Sequence, residues 1–221
     1  MKITCVHTGA GEGIFGVLER AIKKELHTSY QISHMTNPAI IAEVAAENRV
    51  TPRAAADLMR MYMAAADSGA DIILNVCSSV GRVADTARPA FELAGVRLMR
   101  IDRRMCETVV QKYSRIGVVA TLRSTLDPSC ELVRECAEKA GKEVRVQEFL
   151  ADGAFGLNQE QLEKLIIQAI EPGVGQVEVL VFAQASMSDC VPAVTERFGL
   201  PVYASPAFGA QELAEIAAEL E

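Results

Sequence analysis

Short apolar runs rich in β-branched residues alternate with helix-like patterns along the whole chain. Strands are expected at Ile3–Val6, Gln31–Met35, Asp71–Val76 and Arg97–Ile101, then at Ile116–Ala120, Val144–Phe149, Val177–Ala183 and Pro201–Ala204. Segments such as Ile72–Val76 and Val179–Ala183 are almost wholly apolar, as strands covered on both faces should be. Strands separated by helices imply crossover connections and parallel sheets.

Start and stop signals place several helices between these strands. Thr51-Pro52 reads as an N-cap followed by proline at the first helical position, with a helix through Leu58, Met59, Tyr62 and Ala66 to Gly69. Asp127-Pro128 repeats that signal and predicts a start there, with Gly141 as the stop. Asn158 and Gln161 form a capping-box pattern ahead of Leu162, Leu165, Ile166 and Ile170. An amphipathic helix is expected from about Ala207 to Leu220.

The eight strand candidates divide into two sets that align with each other. Ile3–Thr8 falls on Ile116–Thr121, so Thr8 matches Thr121. Ile72–Ser79 falls on Val179–Ser186, so Ser79 matches Ser186 and Cys77 matches Gln184. The pattern predicts two pseudo-symmetric α/β halves, each with a four-stranded parallel sheet. Residues 1–98 with the C-terminal helix 207–221 make one half, and 99–206 make the other. In such sheets a ligand sits beyond the carboxyl ends of the strands, so a cleft between the halves is expected to hold the active site.

Composition narrows the function classes. The 221 residues are half hydrophobic and contain no low-complexity tract, which fits a globular protein with a sizeable core. The net charge is −7, and the longest basic cluster is only Arg100, Arg103 and Arg104, so no nucleic-acid partner is expected. No apolar run approaches the ~20 residues of a membrane span, and MKITCVHTG is too short for a signal peptide, so the expectation is a cytoplasmic protein without a membrane partner. The six cysteines include no CxxC pair and are expected as free thiols. With three histidines and no cluster pattern, no metal site is expected. Gly11, Gly13 and Gly16 match the spacing of a dinucleotide-binding turn, but no acidic residue closes the second strand to hold a ribose. The glycine-rich stretch reads instead as a flexible substrate loop, and no cofactor is expected.

Three segments carry a family resemblance: Asn75-Val76-Cys77-Ser78-Ser79-Val80-Gly81, Ala120-Thr121-Leu122-Arg123-Ser124-Thr125, and Ala183-Gln184-Ala185-Ser186-Met187. In order and spacing the chain resembles the aspartate/glutamate/hydantoin racemase superfamily over nearly its whole length. The resemblance implies two α/β domains, catalysis without pyridoxal phosphate or metal, and pairing as a homodimer. It also implies a cysteine at each of two equivalent strand ends, one removing an α-proton and the other delivering a proton to the opposite face. The first such position is Cys77. The second is Gln184, which departs from the pattern and cannot carry a proton.

The candidate site follows from both lines. Cys77 is the expected acid/base, because it ends a strand before a turn into a helix, where backbone amides favour thiolate. Asn75 lies two residues earlier and so on the same side of the strand, where it is expected to orient the substrate, or else to hydrogen-bond a neighbouring loop. Thr8, Ser78, Ser79, Thr121, Thr125 and Ser186 are hydroxyls at strand ends and helix starts, suited both to capping and to holding a carboxylate. His7 is a candidate second acid/base, with His34 a weaker one. Gln184 suits hydrogen bonding to a carboxylate or enolate oxygen. The expected function is a cofactor-independent racemase or isomerase acting at the α-carbon of a small carboxylate. A one-thiol decarboxylase, tautomerase or lyase, and a carboxylate-binding protein without turnover, are the alternatives.

Overall fold

The computed structural model describes residues 1–9 and 12–220. Among the described residues eight strands form two sheets: β1 (Lys2–His7), β2 (Gln31–Thr36), β3 (Ile72–Asn75) and β4 (Arg97–Arg100), then β5 (Arg115–Ala120), β6 (Arg145–Leu150), β7 (Val179–Phe182) and β8 (Val202–Ala204). The helices are α1 (Glu12–Glu25), α2 (Pro38–Glu47), α3 (Pro52–Asp67), α4 (Gly81–Leu93), α5 (Arg103–Lys112), α6 (Arg123–Lys139), α7 (Gln159–Ile170), α8 (Val191–Phe198) and α9 (Ser205–Glu219). Contacts divide the chain into one unit of Met1–Ile101 with Pro206–Glu221 and a second of Asp102–Ser205.

Both sheets are four-stranded with the same topology, β2-β1-β3-β4 and β6-β5-β7-β8, and every pairing is parallel. The repeat extends to register. Ile3 pairs with Ile72 in the first sheet, and Ile116 pairs with Val179 in the second. These are the residues that the internal alignment superposes, so the weak sequence repeat encodes one strand pairing used twice.

Burial follows the two-sided pattern. In the first unit Val6, Ile73 and Leu98 pack with Leu58, Tyr62, Val80 and Ala84 on one side of the sheet. The rings of His7 and Phe15 lie 4.6 Å apart, which places α1 on the other side. In the second unit Val119, Leu180 and Phe182 pack with Phe149, Ile166, Ile170, Met187 and Val194. Thr51 caps α3 by accepting the Ala54 N–H at 3.0 Å, and Asn158 caps α7 by accepting the Gln161 N–H at 3.0 Å.

Two local expectations are corrected. Helix α6 begins at Arg123, so Pro128 lies inside it rather than at its start. A proline there forfeits one intrahelical hydrogen bond. The early start is helped by an Arg123–Asp127 pair one turn along, at 3.3 Å. Gly13 and Gly16 belong to α1 rather than to a flexible loop, while Gly11 lies outside the described residues. A glycine costs a helix only about 1 kcal/mol, so packing on the sheet can hold this stretch helical.

Candidate active site

Strand β3 ends at Asn75, and Cys77 follows in extended conformation at φ −104°, ψ 114°. A single 3₁₀ turn, Ser78–Val80, leads directly into α4. The side chain of Asn75 is fully buried beneath this turn. It accepts a hydrogen bond from the Tyr62 hydroxyl at 2.9 Å and donates to the Cys77 carbonyl at 2.9 Å. Both bonds run within the protein and hold the backbone that carries the thiol. Tyr62 lies on the buried face of α3, and a tyrosine there requires a partner for its hydroxyl, which is the sequence signal that could single it out.

The cysteine sulfur sits among donors. Hydrogen bonds from the Thr8 and Ser79 side chains, and from the backbone N–H groups of Ser79 and Val80, draw its pKa down. Burial opposes them and prevails, so the thiol lies above its ordinary value. This refines the sequence-based expectation of a thiolate. In the resting protein Cys77 is a protonated thiol, surrounded by groups that would receive a developing negative charge.

Cys77 is half-buried, whereas the five other cysteines are buried. Burial also pushes Cys5 and Cys130 up to about 12 and Cys190 to about 11. Cys77 is therefore expected to react first with iodoacetamide when labelling is followed by peptide mapping. Its rate should keep rising with pH beyond the range where a free thiol levels off, because its pKa is raised. Faster labelling of Cys106 or Cys190 would remove Cys77 from this role.

The second unit repeats the construction around Gln184. It follows β7 in extended conformation at φ −120°, ψ 131° and precedes a 3₁₀ segment, Ala185–Cys190. Thr121 donates to Gln184 Oε1 from its backbone N–H at 2.7 Å and from its hydroxyl at 2.9 Å. Thr8 and Thr121 thus make the same contact, each with the residue at the equivalent strand end. A backbone N–H can only donate, so the atom it meets is the amide oxygen. The Gln184 NH₂ group is then the polar end left to a ligand, and it is a pure donor.

Other hydroxyls are placed as follows. Ser78, Ser79, Thr8, Thr121 and Thr125 are all buried, while Ser186 is exposed. Ser124, in the first turn of α6, is also buried, and its hydroxyl has no hydrogen-bond partner. The N-cap of that helix is Leu122, which supplies no capping side chain. A helix start without a cap and a buried donor without a partner suit an anion.

His7 is buried at the end of β1. Its Nε2 lies 2.9 Å from Nδ1 of His34, whose Nε2 lies 3.0 Å from the Glu19 carboxylate. Burial, with His34 as neighbour, lowers the His7 pKa to about 4, so the ring is neutral at pH 7. Among the described residues no group of three His, Cys, Asp or Glu side chains is arranged to hold a metal ion. No described helix is long and apolar enough to cross a membrane.

The family model for Asp/Glu/hydantoin racemase matches residues 3–213. The chain belongs to the Asp/Glu/hydantoin racemase family. No curated protein sequence gives a match. Among solved structures, an allantoin racemase from Klebsiella pneumoniae is 16% identical with a TM-score of 0.67, covering 100% of this chain and 88% of that one. A glutamate racemase isoform from Bacillus anthracis is 12% identical with a TM-score of 0.74, covering 99% and 82%. A glycine-to-cysteine mutant of arylmalonate decarboxylase is 13% identical with a TM-score of 0.58, covering 99% and 94%. At these identities the likeness is one of fold. The racemase-family fold thus accommodates relatives named for isomerisation and for decarboxylation.

Proposed function

We propose that this racemase-family chain is a cofactor-independent isomerase acting at the α-carbon of a small carboxylate, with Cys77 as the proton-transferring group. The observation that carries the reading is the Cys77 turn, where a thiol is surrounded by four hydrogen-bond donors drawn from Thr8, Ser79 and Val80. An α-proton beside a carboxylate is a weak acid, so its removal needs a positioned base and donors for the enediolate charge. As thiolate, Cys77 takes the proton on one face; inversion further needs a proton delivered to the opposite face by a non-cysteine group such as water.

A second reading is favoured by Gln184 itself. With no proton to move at that position, a reaction needing only one protonation fits at least as well. In decarboxylation of a malonate-type diacid the C–C bond breaks, carbon dioxide leaves, the electron pair of that bond remains as the enediolate of the other carboxylate, and the Cys77 thiol protonates the carbon. Water then restores the thiol. The raised pKa of Cys77 suits this direction, since the resting group is an acid. Tautomerisation or a lyase reaction makes the same single demand.

The test is proton NMR in D₂O with a panel of amino acids, hydantoins, hydroxy acids and dicarboxylic acids, including substituted malonates. The expected result is stereoselective deuterium incorporation at one face, with poor racemisation of aspartate and glutamate. Rapid symmetric racemisation of either amino acid would show that a second proton carrier exists and overturn the one-thiol account. Ligand-induced rises in melting temperature without turnover would instead identify a carboxylate-binding protein.

A further inference from the structure

Strand β3 is fully buried, and it is apolar except for its last residue, Asn75. A polar amide in such a run needs partners, whereas a leucine would fill the position without them. Both polar atoms of Asn75 find partners inside the protein. Its Nδ2 donates to the Cys77 carbonyl at 2.9 Å, and its Oδ1 accepts from the Tyr62 hydroxyl at 2.9 Å. The amide orientation follows from these partners. A backbone carbonyl only accepts, so it must face the NH₂ group, and Tyr62 must then donate to the oxygen. The Tyr62 ring is fixed in turn by Phe91 of α4 in a T-shaped pair, with centroids 6.1 Å apart and planes at 89°.

We infer that Tyr62 and Asn75 are positioning residues for Cys77: the relay from α3 through the end of β3 fixes the cysteine peptide, so that the Ser79 and Val80 N–H groups stay on the sulfur. The inference rests on the proposed proton transfer by Cys77. The carbonyl that Asn75 holds belongs to the peptide joining Cys77 to Ser78. The two N–H donors follow one and two peptides later, in the same 3₁₀ turn. In so short a turn, freedom at the carbonyl becomes freedom at the donors. Donors already fixed in place stabilise a developing charge without reorganising, and that advantage is lost when they can move.

The relay moves no proton and leaves Cys77 as the one group that does. Burial, with Cys77 beside it, holds the Tyr62 hydroxyl protonated, well above the ordinary tyrosine range. The charged groups near that hydroxyl are Arg100 of β4 and Asp85 of α4, which pair with each other at 2.7 Å. Tyr62 is therefore a hydrogen-bond donor to Asn75 and not an acid. Each polar atom of Asn75 is engaged within the protein, which makes it a support of the turn rather than a contact for the substrate.

The experiment follows iodoacetamide labelling of Cys77 against pH, with peptide mapping, in the full-length protein. Wild type is compared with Tyr62→Phe and with the double variant Tyr62→Phe/Asn75→Leu. Tyr62→Phe removes one oxygen and keeps the ring against Phe91. The double variant replaces both hydrogen-bond partners by apolar groups of similar size, a change that can be nearly neutral for stability, and melting curves check it. In both variants the labelling midpoint should move to higher pH. Thiolate reduced about tenfold, partly offset by the greater nucleophilicity of a more basic sulfur, should slow labelling at pH 8 about threefold. In the deuterium-exchange assay kcat should fall about tenfold with KM unchanged, because neither residue holds the substrate. An unmoved labelling profile in every variant that folds would overturn the inference, whatever the change in stability. A moved profile with unchanged kcat would overturn it as well. Labelling needs no substrate, so moved profiles in a protein that turns over nothing in the panel would uphold the relay while the proposed function fails.

Discussion

Cys77→Ala is expected to lower turnover by about 10²–10⁴-fold, the contribution of one positioned acid or base. The loss should appear in kcat, because the sulfur is asked to move a proton and not to hold the substrate. The donors around it are backbone N–H groups of Ser79 and Val80 and the side chains of Thr8 and Ser79, none of which the substitution removes. Cys77→Ser is expected to recover little, since an alcohol is a far weaker acid than a thiol. Thermal unfolding provides the control. Cys77 is half-buried and the turn beneath it is held by Asn75 and Tyr62, so both variants should melt close to wild type. Turnover in Cys77→Ala within a few-fold of wild type would exclude the thiol from the chemistry.

Gly81→Ala is expected to destabilise the protein by about 2–4 kcal/mol, although helix propensity alone argues the opposite sign. Gly81 opens α4 with ordinary helical angles of φ −56° and ψ −30°, and alanine gains about 1 kcal/mol there. A Cβ at this position, however, would lie 2.3 Å from the Arg100 guanidinium carbon. Arg100 is buried and pairs with Asp85 at 2.7 Å, so it cannot swing out without leaving a charge uncompensated. Overpacking a core costs about 1–3 kcal/mol, and breaking a buried ion pair about 3–5 kcal/mol. Either term exceeds the propensity gain. Chemical denaturation should show a lower midpoint with an unchanged slope. Stability equal to wild type would mean that Arg100 relocates freely. The 3₁₀ turn that follows Cys77 runs straight into Gly81, so the same variant should also lower activity.

The fold was legible in the sequence because its information is local and periodic. Apolar runs of strand length, separated by helix-length segments, leave little choice but two-sided parallel sheets. The repeat was legible for the same reason: Ile3 with Ile72 and Ile116 with Val179 are equivalent pairs in both sequence and register. Cys77 could be singled out because a cysteine between an apolar strand and a Ser-Ser-Val-Gly turn is a local pattern. The start of α6 is not legible locally, since Asp127-Pro128 imitates a capping signal whereas the helix begins at Arg123.

The electrostatic state of the site depends on partners distant in the chain, and no local pattern reports it. Cys77 is a thiol and not a thiolate because burial outweighs the donors of its turn, a balance between two opposing effects. Gln184 presents its NH₂ group because Thr121, just past the end of β5, occupies its oxygen twice. His7 became more than a lone strand-end histidine only when α1 and β2 brought Glu19 and His34 into line with it. Sequence determines which residue types stand at the strand ends, since periodicity and strand pairing are set by near neighbours. Protonation, tautomer and hydrogen-bond direction are decided by what the folded chain places against them.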